Sequence, residues 1–294
     1  MWKSLFRSKN ILTKILGDAD HAMGHEGLDA ALAILRRLSL EDFGSILLEI
    51  PDAYVNLRKA LPRMASTEVQ RSWTGNEGKE LLALSCDFIK SVERGCQNYA
   101  AMSLNNRVML DYGCGWGRLI RLMYYHTSPA HIYGVDAWQE SLDVCKQDGV
   151  LGNLALSETI PTVLPFAAIN FDLVYSFSVF THLSERVTQA ALRAIRKRIQ
   201  PHGLLVITLR PIEFWNEHAV FIPGYSRDRA IAEHQARGFA FVPHHRPPVD
   251  GEIPYGDTSI SFDYLATIFP EWKLAGHETN ASDSLQTIAF MKPV

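Results

Sequence analysis

Disulfide frameworks and zinc sites need cysteines in close register, and this sequence of 294 residues has only four, Cys86, Cys96, Cys114 and Cys145. None forms a Cys-x-x-Cys pair or has a histidine at ligand spacing, so neither a covalent staple nor a metal site is expected, and a reducing cytoplasm fits best. No apolar run approaches the roughly 18 residues that span a bilayer, and the first residues lack the unbroken apolar centre of a secretory signal. An excess of one charge is missing too. The 29 basic and 32 acidic side chains leave a formal net charge of −3, which supplies no basic field for nucleic acid. Residues 1–17 interleave Trp2, Leu5, Phe6, Ile11, Leu12, Ile15 and Leu16 with Lys3, Arg7, Lys9 and Lys14. This fits a surface helix packed on the domain or a contact with an anionic membrane, and the shortness of the apolar stripe favours the first.

What the chain does have is a 47% apolar content, enough for one α/β domain with a proper core and extra structure beside it. Its most informative segment is Asp111-Tyr112-Gly113-Cys114-Gly115-Trp116-Gly117-Arg118, directly behind Val108-Met109-Leu110. The segment reads as strand, glycine turn, helix. Glycine tolerates positive φ and carries no Cβ, so such a turn lets main chain approach a ligand. A dinucleotide fingerprint, Gly-x-Gly-x-x-Gly, fails in both registers, because Arg118 or Ile120 stands where the third glycine belongs. The pattern present is acid-x-Gly-x-Gly-x-Gly, which composition alone would produce in a chain like this about one time in a hundred. Farther on, His131-Ile132-Tyr133-Gly134-Val135-Asp136 reads as a second strand ending in an acid, with the helical stretch Leu119 to Tyr125 between the two. The three pieces make a βαβ unit. Asp136 is placed to accept two hydrogen bonds from ribose hydroxyls; the alternative is that it caps a helix begun around Ser141.

These residues resemble the first motif of the class I S-adenosylmethionine-dependent methyltransferases. A second segment supports the resemblance: Phe171-Asp172-Leu173-Val174 followed by small residues and then His182-Leu183, with the turn Gln200-Pro201-His202-Gly203 leading into a strand at Leu204 to Leu209. The resemblance covers about 105–210 well and extends weakly through 294. It implies an α/β fold: a Rossmann-like doubly wound sheet, mostly parallel with an antiparallel last strand. Residues 1–100 read as a helical region, a lid or partner element, ahead of a cofactor domain at 101–294. Within that domain the stretch 211–260 has little regular pattern, is rich in proline, histidine and aromatics, and is expected to wall the acceptor pocket. Trp73-Thr74-Gly75-Asn76, ahead of a long helix, is a plausible cover for the cofactor cleft, though a plain helix start explains it equally.

The resemblance further implies S-adenosyl-L-methionine as cofactor. Asp111 would orient the glycine loop and the methionine amino group; Gly113, Cys114, Gly115 and Gly117 would bring backbone close. Asp136 would hold the ribose, Ala137 and Trp138 would flank the adenine, Ser157 or Glu158 would approach its amino edge, and Ser176 and Phe177 would line the floor. His182 is the candidate general base because an imidazole suits proton abstraction near neutrality, against the alternative that it packs or caps the following helix. His244, His245, Tyr255 and Asp257 stand behind it. Ser176-Phe177-Ser178-Val179 occupies the place where Asn/Asp-Pro-Pro-Tyr would signal methylation of a base or amide nitrogen. A hydroxyl on a small molecule, sugar or lipid-linked acceptor is therefore the expected target. The competing readings are a non-catalytic interaction module on the same fold and, less well supported by the glycine spacing, a nicotinamide-dependent oxidoreductase.

Overall fold

The computed structural model describes residues 2–218, 220 and 222–294, with side chains from residue 10 onward. The expectation of membrane contact rests partly on Trp2, Leu5 and Phe6, whose side chains lie outside the described residues. Five strands follow the expected order: β1 (Met109–Tyr112), β2 (Ile132–Asp136), β3 (Asn153–Leu156), β4 (Phe171–Ser176) and β5 (Ile199–Leu209). β6 (Phe239–Pro243) and β7 (Gly256–Ile260) form a separate antiparallel ribbon, and β8 (Trp272–Thr279) and β9 (Thr287–Pro293) complete the main sheet. Its order is β3-β2-β1-β4-β5-β9-β8. β1 to β5 pair in parallel, and β9 runs antiparallel to both β5 and β8. This is the doubly wound sheet the resemblance implied. β1 lies inside it, with Met109 and Leu110 fully buried, as a parallel strand covered on both faces requires.

One face is covered by α1 (Trp2–His25), α2 (Leu28–Leu35), α3 (Leu40–Leu48), α4 (Val55–Ala60), α5 (Thr67–Thr74), α6 (Gly78–Ala100) and α7 (Arg118–Met123). Leu32, Phe43, Leu57, Phe88 and Val92 of these helices share one apolar cluster with Leu173 of β4, Val206 of β5 and Phe290 of β9. The N-terminal helices therefore form a layer of the sheet's own core. α8 (Gln139–Gln147) follows β2. The other face carries α9 (Glu185–Arg196) and α12 (Phe262–Ile268), which pack on β4, β5 and β9 through Leu192, Ile195 and Leu265, while α10 (Phe214–Glu217) and α11 (Arg227–Arg237) pack on β6 of the ribbon through Trp215 and Ala230. Among the described residues no helix is long and apolar enough to cross a membrane.

Two expectations about local structure change. Gln200 to Gly203 do not precede the strand but lie inside β5, where Ile199 pairs with Phe171 and Leu204 with Leu173, so the residues between them bulge. Gly203 permits the bulge: a Cβ there would lie 2.9 Å from the Asp172 carbonyl oxygen. The stretch 211–260 is also more regular than expected, holding α10, α11 and the whole β6/β7 ribbon. The regularity is masked because β7, Gly256-Asp257-Thr258-Ser259-Ile260, is polar in sequence and buried at all five positions. Its polar groups are bonded instead of solvated. Thr258 donates through Oγ1 to the Leu183 carbonyl, and the Ser259 hydroxyl meets Trp215 Nε1 and His234 Nδ1, each at 2.7 Å.

Helix α6 ends on Ala101, held at φ 49° with its N–H on the Cys96 carbonyl. This left-handed cap suits glycine, whereas an L-residue pays for its Cβ there. Ala101→Gly is expected to stabilise the protein by roughly 0.5–1 kcal/mol after the entropy of the unfolded glycine is subtracted, seen as a higher urea midpoint with unchanged slope.

Candidate active site

The helices that follow β1 and β4 lie on opposite faces of the sheet, so a crevice opens at the carboxyl ends of these neighbouring strands, where doubly wound sheets place ligands. A cleft of about 1250 Å³ occupies it. The glycine loop forms one side, folded back so that Val135 O accepts from Gly113 N at 2.8 Å and Cys114 N at 2.9 Å. All three glycines have positive φ, 77°, 53° and 76°, but they do different things. A Cβ on Gly113 would strike Val179 at 2.4 Å, whereas Gly115 opens onto free space. Gly117, expected to bring backbone to the ligand, is not in the cleft wall. It begins α7 and lies where a Cβ would meet Val150 at 3.0 Å.

Asp136 ends β2 at the lip of the cleft. Its Oδ2 accepts from Gly115 N at 2.8 Å and its Oδ1 from Trp138 N at 2.9 Å. Helix α8 has no side-chain cap, so the carboxylate braces the turn between strand and helix instead of closing the helix end. A carboxylate has about four lone-pair sites, which leaves acceptor capacity beyond these two amides. Burial pushes its pKa up, opposed by the Trp138 and Gly115 amides and then by the Ser141 hydroxyl and the Ala137 amide. Asp111, 2% exposed, is raised well above the usual carboxylate range by burial, with Arg118 opposing and Asp136 adding to the rise. Its Oδ2 has no hydrogen-bond partner among the described residues. These two carboxyls share the wall with the Arg118 guanidinium.

Aromatic rings border this half. Trp138, 43% exposed, faces Trp73 of α5 with ring centroids 4.7 Å apart, so the N-terminal segment reaches the cleft at Ser72, Trp73, Thr74 and Asn76. Buried Gln70 holds that corner by donating to Ala65 O at 2.7 Å and accepting from Gly78 N at 2.9 Å. Phe177 packs on Phe88 and lies under the Arg118 guanidinium. Cys114, Ala137 and Ser157 line the cleft and Glu158 does not. Ser176, expected in the floor, is fully buried and donates to Tyr112 O at 2.7 Å, tying β4 to β1. Ser178 takes the lining position, at φ 61° with its N–H on Thr208 Oγ1.

The opposite wall is built where β7 runs along residues 181–184: Thr258 N donates to Thr181 O, Gly256 N to His182 O, and Ser184 N to Pro254 O. This fixes His182. Its Nδ1 lies 2.7 Å from the Gly256 carbonyl oxygen, so Nδ1 carries the proton and Nε2 keeps its lone pair. The ring stacks on Tyr255 at 5.0 Å. Burial, then the Arg210 guanidinium, push the His182 pKa down to about 4. Behind it Asp257 is a buried hub, accepting from Arg210 Nη1 at 2.6 Å and lying 2.8 Å from His244 Nε2 and 3.0 Å from His218 Nε2. These bonds hold the Asp257 carboxyl below its usual range against the opposing effect of burial. His182, His244 and Asp257 bring ligand-type atoms within 4.8 Å of one another. A cation there would compete with Arg210 for the same carboxylate. His245 is exposed and outside the cleft wall.

Sequence reasoning missed Arg210, Arg246, Asn280 and Gln286, which also line the cleft. Arg210 had a usable signal: it directly follows the buried run Leu204–Leu209, at the strand end where the crevice lies. Arg246 sits in a stretch without pattern, and Asn280 and Gln286 arrive through the β8–β9 connection.

His126, 5% exposed, is likewise pushed down to about 4, by burial and by Arg36. Both histidines stay neutral in the folded protein while an unfolded chain protonates them near 6.5. Their contribution to stability is intact above that value and is lost as pH falls from 6.5 through 4. Each shift corresponds to roughly 3 kcal/mol. Urea unfolding at pH 7.0 and 4.5 is expected to show a steep loss at the lower pH, reduced in His126→Phe.

A doubly wound sheet with an acid-tipped strand and a glycine loop at its switch point defines a protein that binds a nucleoside-bearing cofactor. Residues 110–207 match the model of a family described as methyltransferase domain, and the sheet around them has the class I methyltransferase architecture. No protein of curated function matches it in sequence. Among solved structures it is similar to magnesium protoporphyrin IX methyltransferase from Synechocystis with bound SAH, at 13% identity over 77% of this chain and 94% of that one, TM-score 0.50. It is also similar to an S-adenosylmethionine-dependent methyltransferase from Clostridium acetobutylicum, at 11% identity over 77% and 96%, TM-score 0.48. At such identities the likeness is one of fold.

Proposed function

We propose that this enzyme methylates a hydroxyl oxygen of a small-molecule, sugar or lipid-linked acceptor. The observation that carries the reading is a neutral imidazole, His182, in the same cleft as the glycine loop and Asp136. When bound, S-adenosylmethionine supplies an electrophilic methyl group. The residues fit it. Gly115 leaves room beside the loop, Asp136 stands at the lip of the cleft where its carboxylate can accept from ribose hydroxyls, and Asp111 has an oxygen without a hydrogen-bond partner among the described residues. Ala137, Trp138 and Trp73 would flank the adenine, Ser157 would approach its edge, Cys114 and Gly113 would bring backbone alongside, and Phe177 would form the floor. The segment Ser72 to Asn76 thus acts as a cover for the cofactor half, while the other N-terminal helices serve the core.

His182 then has a defined task. With Nδ1–H committed to the Gly256 carbonyl, Nε2 accepts the proton of the acceptor hydroxyl. The imidazolium formed lies 3.6 Å from the Asp257 carboxylate, which offsets the unfavourable Arg210 charge. Holding the two reactants in line can contribute roughly 7–11 kcal/mol, so alignment outweighs base strength in a site whose histidine is a weak base. The four cysteines are all buried and unpaired, in keeping with a reducing cytoplasm.

The test is incubation with methyl-labelled S-adenosylmethionine and matched sets of hydroxyl and amine compounds of the same skeletons. Label in the hydroxyl members, reduced by His182→Gln, is expected. Label only in the amines would refute oxygen as the target.

A further inference from the structure

Resting on the methyltransferase reading, we propose that the acceptor is a planar organic acid whose carboxylate or phosphate is bound by Arg246, with Arg210 behind it. The two sides of the cleft differ in charge. Asp111 and Asp136 stand on the glycine-loop side with Arg118 as their counter-charge, and Arg210 and Arg246 stand on the side built by β7 and its loop, where Asp257 answers Arg210 alone. Arg210 is largely neutralised, since its Nη1 is taken by Asp257 and the Thr181 carbonyl and its guanidinium lies 4.0 Å from the Phe214 ring centroid, while its Nη2 makes a long 3.5 Å contact with His182 Nε2. Arg246 makes no ion pair among the described residues. Its guanidinium lies 5.5 Å from the Tyr255 ring centroid and 5.8 Å from that of Trp138, so it is held between two flat faces at the mouth of the cleft.

That placement selects a ligand. An arginine alone on a surface is simply solvated, but this one lines the cavity that an acceptor must fill. A neutral acceptor would take water from the guanidinium and return no counter-charge, which is penalised. A carboxylate or phosphate replaces the water with two parallel charge-assisted hydrogen bonds. The spare Arg210 Nη2 adds a donor from behind. Tyr255, stacked on His182 and lying beside Arg246, presents a ring edge to the cleft against which a planar skeleton can pack edge to face. The acid group would thus register the skeleton on the wall that carries His182.

The experiment uses the full chain saturated with S-adenosylhomocysteine and titrated calorimetrically with 2-hydroxybenzoate, phenyl phosphate and neutral 2-hydroxybenzamide. At least one acid is expected to bind tenfold or more tightly than the amide. Arg246→Gln should remove that preference and Arg246→Lys should retain part of it, each variant being titrated at saturating S-adenosylhomocysteine. Preference for 2-hydroxybenzoate or phenyl phosphate separates the carboxylate from the phosphate. Equal binding of acid and amide, an unchanged preference in Arg246→Gln, or no binding of either acid overturns the proposal while leaving the methyltransferase reading intact. Failure of S-adenosylhomocysteine itself to bind would instead sink that reading.

Discussion

Replacing Asp136 by alanine is expected to weaken S-adenosylhomocysteine binding at least a hundredfold while the protein stays folded. Two hydrogen bonds from ribose hydroxyls to a carboxylate are together worth roughly 3–6 kcal/mol, and a hundredfold loss is about 2.7 kcal/mol. The same carboxylate fixes the Gly115 and Trp138 amides at 2.8 and 2.9 Å, so the variant also loosens the loop and the indole beside it. The fold should survive because burial already disfavours the charge on Asp136. Removing the carboxylate relieves that cost as it removes the two bonds. Asp136→Asn keeps one acceptor oxygen and should lose about tenfold. Calorimetry with a thermal melt of each variant checks both halves. A loss below tenfold in a folded Asp136→Ala would contradict the ribose assignment.

The largest effect on stability is expected at Asp257, where substitution by alanine should cost about 3–5 kcal/mol, the usual result of removing one partner from a buried ionic group. The side chain is 8% exposed and Arg210 only 13%, so the guanidinium would be left without its anion in a place water barely reaches. His244 and His218 lose the same partner, and the start of β7, which fixes His182, loses its anchor. Asp257→Asn should fall between wild type and alanine, since an amide can accept from one neighbour but presents its NH₂ to another donor. Urea unfolding at pH 7 measures both. Cofactor affinity of the folded Asp257→Ala protein should change little, because the residues assigned to the cofactor lie on the other wall. A cost below 1 kcal/mol would mean that the hub is solvated and carries no structural load.

The half of the cleft proposed to take the cofactor could be located in the sequence because its signals are local. Asp111, Gly113 and Gly115 fall at strand ends and turns whose spacing survives in the one-dimensional sequence, and Asp136 is read the same way one βα unit later. The acceptor half is assembled from distant segments: Arg210 after β5, Tyr255 and Asp257 at the start of β7, Arg246 between the ribbon strands. Nothing in their spacing announces that β7 will lie along residues 181–184. Polar β7 hid its burial because its hydroxyls are bonded to Leu183, Trp215 and His234. The exchange of Ser176 for Ser178 has a similar origin. A left-handed residue at 178 turns the chain after β4, and no alternation rule predicts which serine then faces the cleft. Trp73 is an intermediate case, since the sequence offered it as a possible cover but only its 4.7 Å approach to Trp138 joins it to the site.

The central claim is that the crevice between β1 and β4 binds S-adenosylmethionine, and titration of the wild-type protein with S-adenosylhomocysteine tests it most directly. One equivalent bound with a dissociation constant in the micromolar range, about −8 kcal/mol, is the predicted result. A folded protein that takes up none at millimolar ligand would contradict the account.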